Sequence, residues 1–122
     1  MKRKVMGNFK ELRVWKEGVE LAVEIYRISK QEPFSGDFGL RNQIQRAVIS
    51  ISSNIAEGDE RRTDRESVFY FNVAKGSAAE VITQLHIAKR IGYIDTATFE
   101  TLEDKTEKIR ASLKKLIQAR ST

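Results

Sequence analysis

The sequence contains few side chains that could carry out catalysis, and their spacing does not suit it. His86 is the only histidine and cysteine is absent, so a thiolate nucleophile and a cysteine metal site are excluded. A di-metal site in a helical bundle needs paired Glu-x-x-His motifs, whereas Thr83 lies three residues before His86. Ser50 and Ser53 have no imidazole base within reach, because His86 lies far along a different predicted helix. We therefore expect no enzymatic activity, no bound metal and no cofactor.

The side chains that could recognise a ligand are mostly lysine and arginine, and they concentrate in the two terminal segments. Residues 1–16 and residues 105–122 each carry six basic residues against one acidic residue, whereas residues 17–104 carry ten basic and fifteen acidic residues. Clustered cations attract polyanions and supply the sequence-independent part of nucleic-acid affinity. The other interpretation is a solvated tail and an ordinary lysine-rich helix face. The candidate nucleic-acid contacts are Lys2, Arg3, Lys4, Arg61, Arg62, Arg65, Lys108, Lys114, Lys115 and Arg120.

Helical periodicity dominates the chain and predicts the elements that position these cations. Apolar residues recur at steps of three and four, and strand-like alternation is absent from the sequence. The predicted helices span about 9–30, 38–57, 64–91 and 96–119, within a single domain of residues 1–122. Their start and stop signals are the N-cap residues Asp37, Thr63 (with Glu66 in a capping box) and Asp95, and the terminating glycines Gly58 and Gly92.

Four amphipathic helices joined by short connections predict an all-α, antiparallel up-down-up-down four-helix bundle. This connectivity would bring the start of helix one, the loop between helices two and three and the end of helix four to one pole. The periodicity places Trp15, Tyr26 and Phe69 on core-facing stripes. Since Phe69, Tyr70 and Phe71 are consecutive, they cannot share one face, and one of them is expected to point outward.

A stripe of polar residues runs beside the apolar stripe of helix two, and helix three offers a matching one. If the two helices are antiparallel, Arg46 falls opposite Ser77 and Glu80, which predicts an ion pair or hydrogen-bond network between Arg46 and Glu80. Ser50 and Asn54 would lie nearer the loop. The predicted network or interface comprises Arg46, Ser50, Ser53, Asn54, Glu57, Gly76, Ser77 and Glu80.

Gly76 is unusual because glycine in the middle of a helix is unfavourable by roughly 1 kcal/mol relative to alanine. It begins a run of small residues that extends to Ala79. Such a run allows another backbone to approach closely. The approaching element is either a neighbouring subunit or a neighbouring helix of the same chain, and periodicity alone does not choose between them.

Four segments together resemble a known family. They are "LRVWKEGVELAVEIY", "FGLRNQIQRAVISISSNIAEG", "FYFNVAKGSAAEVITQL" and "AKRIGYI", in this order. The chain resembles the four-helix-bundle family first associated with intervening sequences in bacterial 23S ribosomal RNA genes, to which accessory proteins of diversity-generating retroelements are related. The resemblance implies a small cytoplasmic bundle that forms a homo-oligomer, commonly a pentamer, without established catalysis. For the accessory relatives it implies a basic surface that engages nucleic acid and a reverse transcriptase.

Two classes of function follow from the sequence. The first is a non-catalytic oligomeric protein associated with RNA or DNA, possible partners being a nucleic acid and a protein such as a reverse transcriptase. The second is a protein interaction scaffold that does not bind nucleic acid. A cytoplasmic location is expected and a membrane is not, because no long apolar segment follows the basic start "MKRKVMGNFKELRVWKEG".

Overall fold

The computed structural model describes residues 8–121, and within them the chain forms a four-helix bundle. Each of the first three helices packs against the next along the chain, and the first also packs against the fourth. No strand occurs in the described range, and none of its helices is long and apolar enough to cross a membrane. The helices are α1 (Arg13–Ser29), α2 (Phe38–Asp59), α3 (Asp64–Arg90) and α4 (Thr96–Arg120), with short 3-10 turns at Phe9–Glu11 and Phe34–Gly36.

Three helices begin at the predicted N-cap residues. The Leu40 N–H donates a hydrogen bond to Asp37 Oδ1 at 3.0 Å, which caps α2. The side chains of Thr63 and Asp95 accept the equivalent bonds at the starts of α3 and α4, at 3.2 and 2.7 Å. Each cap satisfies a backbone donor that the first helical turn cannot satisfy internally.

Two predicted helix boundaries are wrong: the start of α1 and the end of α2. Helix α1 begins at Arg13 and not at residue 9, because Phe9–Glu11 forms a 3-10 turn and Leu12 has an extended backbone. Gly58 does not terminate α2. The helix continues through it to Asp59, and Gly92 is the only described glycine with a positive φ, 84°.

The core is built from apolar residues on all four helices and from Phe34 in the α1–α2 connection. Phe71 is fully buried, whereas Phe69 is 62% exposed, so the prediction that Phe69 faces the core is wrong. Successive residues of a helix are rotated by about 100°, which places Phe69 and Phe71 on nearly opposite faces. The fully buried large side chains are Phe34, Phe71, Leu21, Ile25, Ile44, Ile51, Ile55, Leu85, Ile109, Leu113, Val48 and Val81.

At the end of the bundle opposite the α2–α3 loop, a hydrogen bond joins the α1–α2 connection to the α3–α4 connection. The Tyr93 hydroxyl donates to Asp37 Oδ2 at 2.8 Å, and its ring stacks on Phe34. The bond from the Leu40 N–H, followed by that from Tyr93, lowers the pKa of Asp37 below its ordinary value. The same hydrogen bond to the carboxylate raises the pKa of Tyr93.

Candidate functional site

Three of the predicted polar residues meet between α2 and α3. The hydroxyl oxygens of Ser50 and Ser77 lie 2.8 Å apart, and Ser77 is buried. Asn54 Nδ2 donates to Ser50 Oγ at 3.0 Å and to the Ser50 carbonyl oxygen at 2.8 Å. This network links α2 to α3, and the residue that makes the link is a serine on each helix. Ser53, by contrast, is exposed.

Arg46 and Glu80 do not form the predicted ion pair within residues 8–121. Both side chains are exposed, and both line an open cleft of about 430 Å³ between α2 and α3. Long charged side chains in water gain little from pairing, because Coulomb attraction is screened and side-chain entropy is lost. The two residues therefore share a site without neutralising each other.

Two of the predicted nucleic-acid contacts near the α2–α3 loop, Arg61 and Arg120, form ion pairs and ring contacts with residues of the same chain. Arg61 pairs with the Glu57 carboxylate, donates to the Glu57 carbonyl oxygen, and lies over the Tyr70 ring at 4.9 Å. Arg120 pairs with the buried Asp59 at 3.6 Å and lies over the Phe71 ring at 5.2 Å. The Arg120 contacts attach the end of α4 to the last residue of α2 and to α3. Both guanidinium groups are partly engaged.

The other predicted cations differ in their surroundings. Arg62 and Arg65 are exposed near the α2–α3 loop, whereas Lys108 pairs with Asp104 at 3.0 Å one turn away on α4. Lys114 and Lys115 are exposed, and neither forms an ion pair with any residue in the described range. The predicted contacts Lys2, Arg3 and Lys4 lie outside the described residues.

A basic groove of about 250 Å³ lies between α3 and α4, and sequence reasoning identified only part of it. We define it by Lys75 of α3 and Arg110 and Lys114 of α4, with Glu107 beside them. Arg110 Nη1 donates to Glu107 Oε1 at 3.0 Å, while Lys75 and Lys114 have no ion-pair partner within residues 8–121. In the sequence, the four-residue spacing of Arg110 and Lys114 was the feature that could have predicted the α4 side of this groove. Lys75 becomes part of the groove only when α3 packs on α4.

His86 takes part in a surface contact. Its Nε2 lies 2.6 Å from Glu103 Oε2, and its ring packs edge-on against Phe99. Among the described residues, no group of three or more histidine and carboxylate side chains could hold a metal ion. The visible role of His86 is to join α3 and α4.

The outward face of α3 carries an apolar stripe that no element of the described chain covers. Phe69, Val73 and Ile87 of α3, and Ile91 just beyond its end, recur at helical spacing and are all exposed. The charged residue Glu80 lies on the same face between Val73 and Ile87. Gly76 lies on the same face, and a Cβ added to it would meet nothing within 4 Å. Tight packing inside the chain therefore does not explain this glycine.

The fold and these surfaces define a small helical-bundle protein with a polar interhelical network, a basic groove and an uncovered apolar stripe. The family model described as "23S rRNA-intervening sequence protein" matches residues 10–115, and the chain belongs to this family. The predicted family and the all-α fold are thus confirmed.

The structure is also similar to a solved one. That protein is described as one of unknown function from the S23 ribosomal protein family of Bacteroides thetaiotaomicron. The TM-score is 0.79 at 26% sequence identity, over 85% of this chain and 97% of the other. A comparison with curated proteins finds no significant match.

Proposed function

We propose that this chain is a non-catalytic, cytoplasmic homo-oligomer that associates with RNA or DNA through clustered lysine and arginine. The observation that carries this function is the basic groove between α3 and α4. Lys75 and Lys114 approach it from different helices and have no counter-ion within residues 8–121. Phosphate groups bound there would replace the missing counter-ions and release condensed cations from the nucleic acid.

The overall charge favours the same partner class. The chain carries a net charge of +5 at neutral pH, with a sequence pI of about 9.6. A positive protein attracts a polyanion over the screening length of the solution, which is about 8 Å at physiological ionic strength. Arg62 and Arg65 are exposed at the α2–α3 loop and would extend the contact beyond the groove.

Assembly into a homo-oligomer is part of the proposed function, and a pentamer is the favoured size. A closed ring needs two different surface patches on each subunit. The uncovered α3 stripe supplies one of them. A shallow groove between α1 and α2, lined in part by Val19, Ala22, Val23 and Tyr26, supplies a complementary apolar patch. Gly76 would let the neighbouring subunit approach the α3 backbone closely.

The antiparallel up-down-up-down order of the helices belongs to the same proposed architecture. Gln45 donates to Ser29, so an early residue of α2 meets the last residue of α1. His86 near the end of α3 meets Glu103 near the start of α4. Such pairs of late and early residues are the contacts that consecutive antiparallel helices make.

The family name connects its members with 23S rRNA intervening sequences, and the sequence resemblance extends to retroelement accessory proteins. We therefore include a possible accessory role in RNA processing or reverse transcription, with a reverse transcriptase as a candidate protein partner. The second candidate function is a protein interaction scaffold without nucleic-acid binding. It is favoured by Arg61 and Arg120, whose guanidinium groups already pair with carboxylates of this chain.

Binding of the purified protein to a structured RNA and to duplex DNA across a salt series separates the two functions. We expect affinity to fall steeply between about 50 and 200 mM salt at the mass of one defined oligomer. The variant Lys75→Glu/Lys114→Glu should bind weakly and with a smaller salt slope, because phosphate contacts are lost. Its matched control is Lys10→Glu/Lys16→Glu, which changes the net charge equally at exposed positions outside both the basic groove and the α1–α2 groove.

Two results would contradict nucleic-acid association. If the intact oligomer binds neither nucleic acid at low salt, the scaffold function is favoured. If both double variants weaken binding equally, only net charge matters and the groove has no specific role.

A further inference from the structure

The cleft between α2 and α3 is polar, open and separate from the basic groove. It has a volume of about 430 Å³, and Asn42, Arg46 and Ser50 line one wall while Glu80 and Gln84 line the other. Ala47 is the single apolar side chain in its lining. Ligand sites in proteins more often have apolar and aromatic walls with a few polar groups. The lining here is suited to a small, strongly polar molecule.

Gln84 adds to the cleft wall a polar side chain that the described fold leaves partly unsatisfied. The residue is 9% exposed, and its Oε1 is closed off from solvent without a hydrogen-bond donor among the described residues. Buried polar atoms in folded proteins nearly always have a partner. Rotation of the Gln84 carboxamide would bring its oxygen from this enclosed position to the cleft, where a donor group of a ligand would satisfy it.

The charges that line the cleft are opposite and unpaired. Arg46 and Glu80 approach it from different helices, and neither forms an ion pair within residues 8–121. Ser50, one turn along α2 from Arg46, is held in place by Asn54 and Ser77. A ligand that carries one anionic and one cationic group can therefore satisfy both charged residues at once.

We propose that this cleft binds a small zwitterion of the α-amino acid class. The guanidinium of Arg46 would bind the α-carboxylate, for which its forked donors are geometrically suited. The carboxylate of Glu80 would accept hydrogen bonds from the α-ammonium group. The carboxamides of Asn42 and Gln84 would bind polar atoms of the ligand side chain. Because no aromatic residue lines the cleft, a stacked nucleobase is disfavoured.

Equilibrium dialysis of the full-length protein against radiolabelled L-serine, L-glutamine and L-arginine tests this site. At least one of them should bind with a dissociation constant of about 1 mM or tighter. The N-acetyl derivative, which lacks the ammonium group, and the α-amide, which lacks the carboxylate, should each bind at least roughly tenfold more weakly. Absence of saturable binding by all three amino acids would overturn the inference, as would equal binding of the derivatives.

Variants connect the binding to this cleft. Arg46→Gln and Glu80→Gln change exposed side chains, so the helical circular dichroism should stay unchanged while binding falls at least roughly tenfold. Glu100→Gln is the matched control, because Glu100 is exposed on α4 and does not line the cleft. If the Arg46 and Glu80 variants bind as the control does, the zwitterion binds elsewhere and the assignment fails. The result is independent of nucleic-acid binding, since the basic groove lies between α3 and α4.

Discussion

The ring of Phe71 lies directly against the backbone of Gly58. A Cβ added to Gly58 would lie 2.7 Å from Phe71 Cε1 and 3.1 Å from the Ser67 carbonyl oxygen. Phe71 is fully buried, so its ring cannot move outward without opening the core. The glycine in the "NIAEG" segment is thus required by the contact between α2 and α3, and not by a left-handed helix end.

Replacing Gly58 should destabilise the bundle. We expect Gly58→Ala to lower the free energy of unfolding by about 1–3 kcal/mol, the usual effect of an extra methyl group in a packed core. Gly36→Ala is the control, because a Cβ there meets nothing within 4 Å. Urea denaturation of both variants measures the difference. Equal stability of the two variants would show that the Phe71 ring can adjust without cost.

Replacing Gly76 should affect assembly and not the fold of the subunit. The Cβ of a leucine at this exposed position would meet nothing of its own chain within 4 Å, and the side chain would keep a neighbouring subunit away from the α3 backbone. We expect Gly76→Leu to reduce the native mass while helical circular dichroism is retained. Glu100→Leu adds a similar side chain to exposed α4 and should leave the mass unchanged. If Gly76→Leu instead loses stability while the native mass is unchanged, Gly76 has a structural role within the subunit.

The hydroxyl pair Ser50 and Ser77 should show a measurable coupling. Ser77→Ala removes a buried partner, and Ser50→Ala leaves the buried Ser77 hydroxyl without its bond, so each should cost about 1–3 kcal/mol. The double variant should be less destabilised than the sum of the two, since residues in one hydrogen-bond network are not additive. A double-mutant cycle by urea denaturation measures this coupling. Strict additivity would mean that the two hydroxyls contribute independently.

The Asp37 carboxylate should make stability depend on pH in the acid range. Because its pKa is lowered in the folded state, its contribution is present above the unfolded pKa and is lost as pH falls through the folded one. Asp37→Asn should therefore lower the thermal midpoint by several degrees at neutral pH, with a difference that disappears in strong acid.

A substitution at Tyr93 tests how much of this pH dependence of stability comes from its hydrogen bond to Asp37. Tyr93→Phe removes one hydrogen bond from the carboxylate, so the loss of stability in acid should begin at a higher pH than in the unmodified protein. Thermal unfolding from neutral pH to strong acid compares the three proteins. If Asp37→Asn lowers the thermal midpoint by the same amount at every pH, the charge of Asp37 has no role in stability.

Local features of the sequence predicted the helices and the family. Asp37, Thr63 and Asp95 each cap the helix that follows, because a capping bond joins residues only three positions apart. The long motif segments identified the family that the family model matches over residues 10–115. Counting along two helices from their common loop placed Arg46 opposite Ser77, whereas the residue that bonds Ser77 is Ser50, one turn nearer the loop.

The candidate sites depended on how each helix is rotated about its axis, which only the packing of the bundle decides. The sequence shows aromatic residues at positions 69, 70 and 71, but contact with Gly58 turns Phe71 inward and leaves Phe69 outside. That rotation of α3 also leaves the carboxamide of Gln84 in the wall of the polar cleft and brings Lys75 beside Lys114. Residue type and spacing thus determined which helices form. The fit of their buried faces determined which polar and charged side chains share a surface, because those neighbours are distant in sequence.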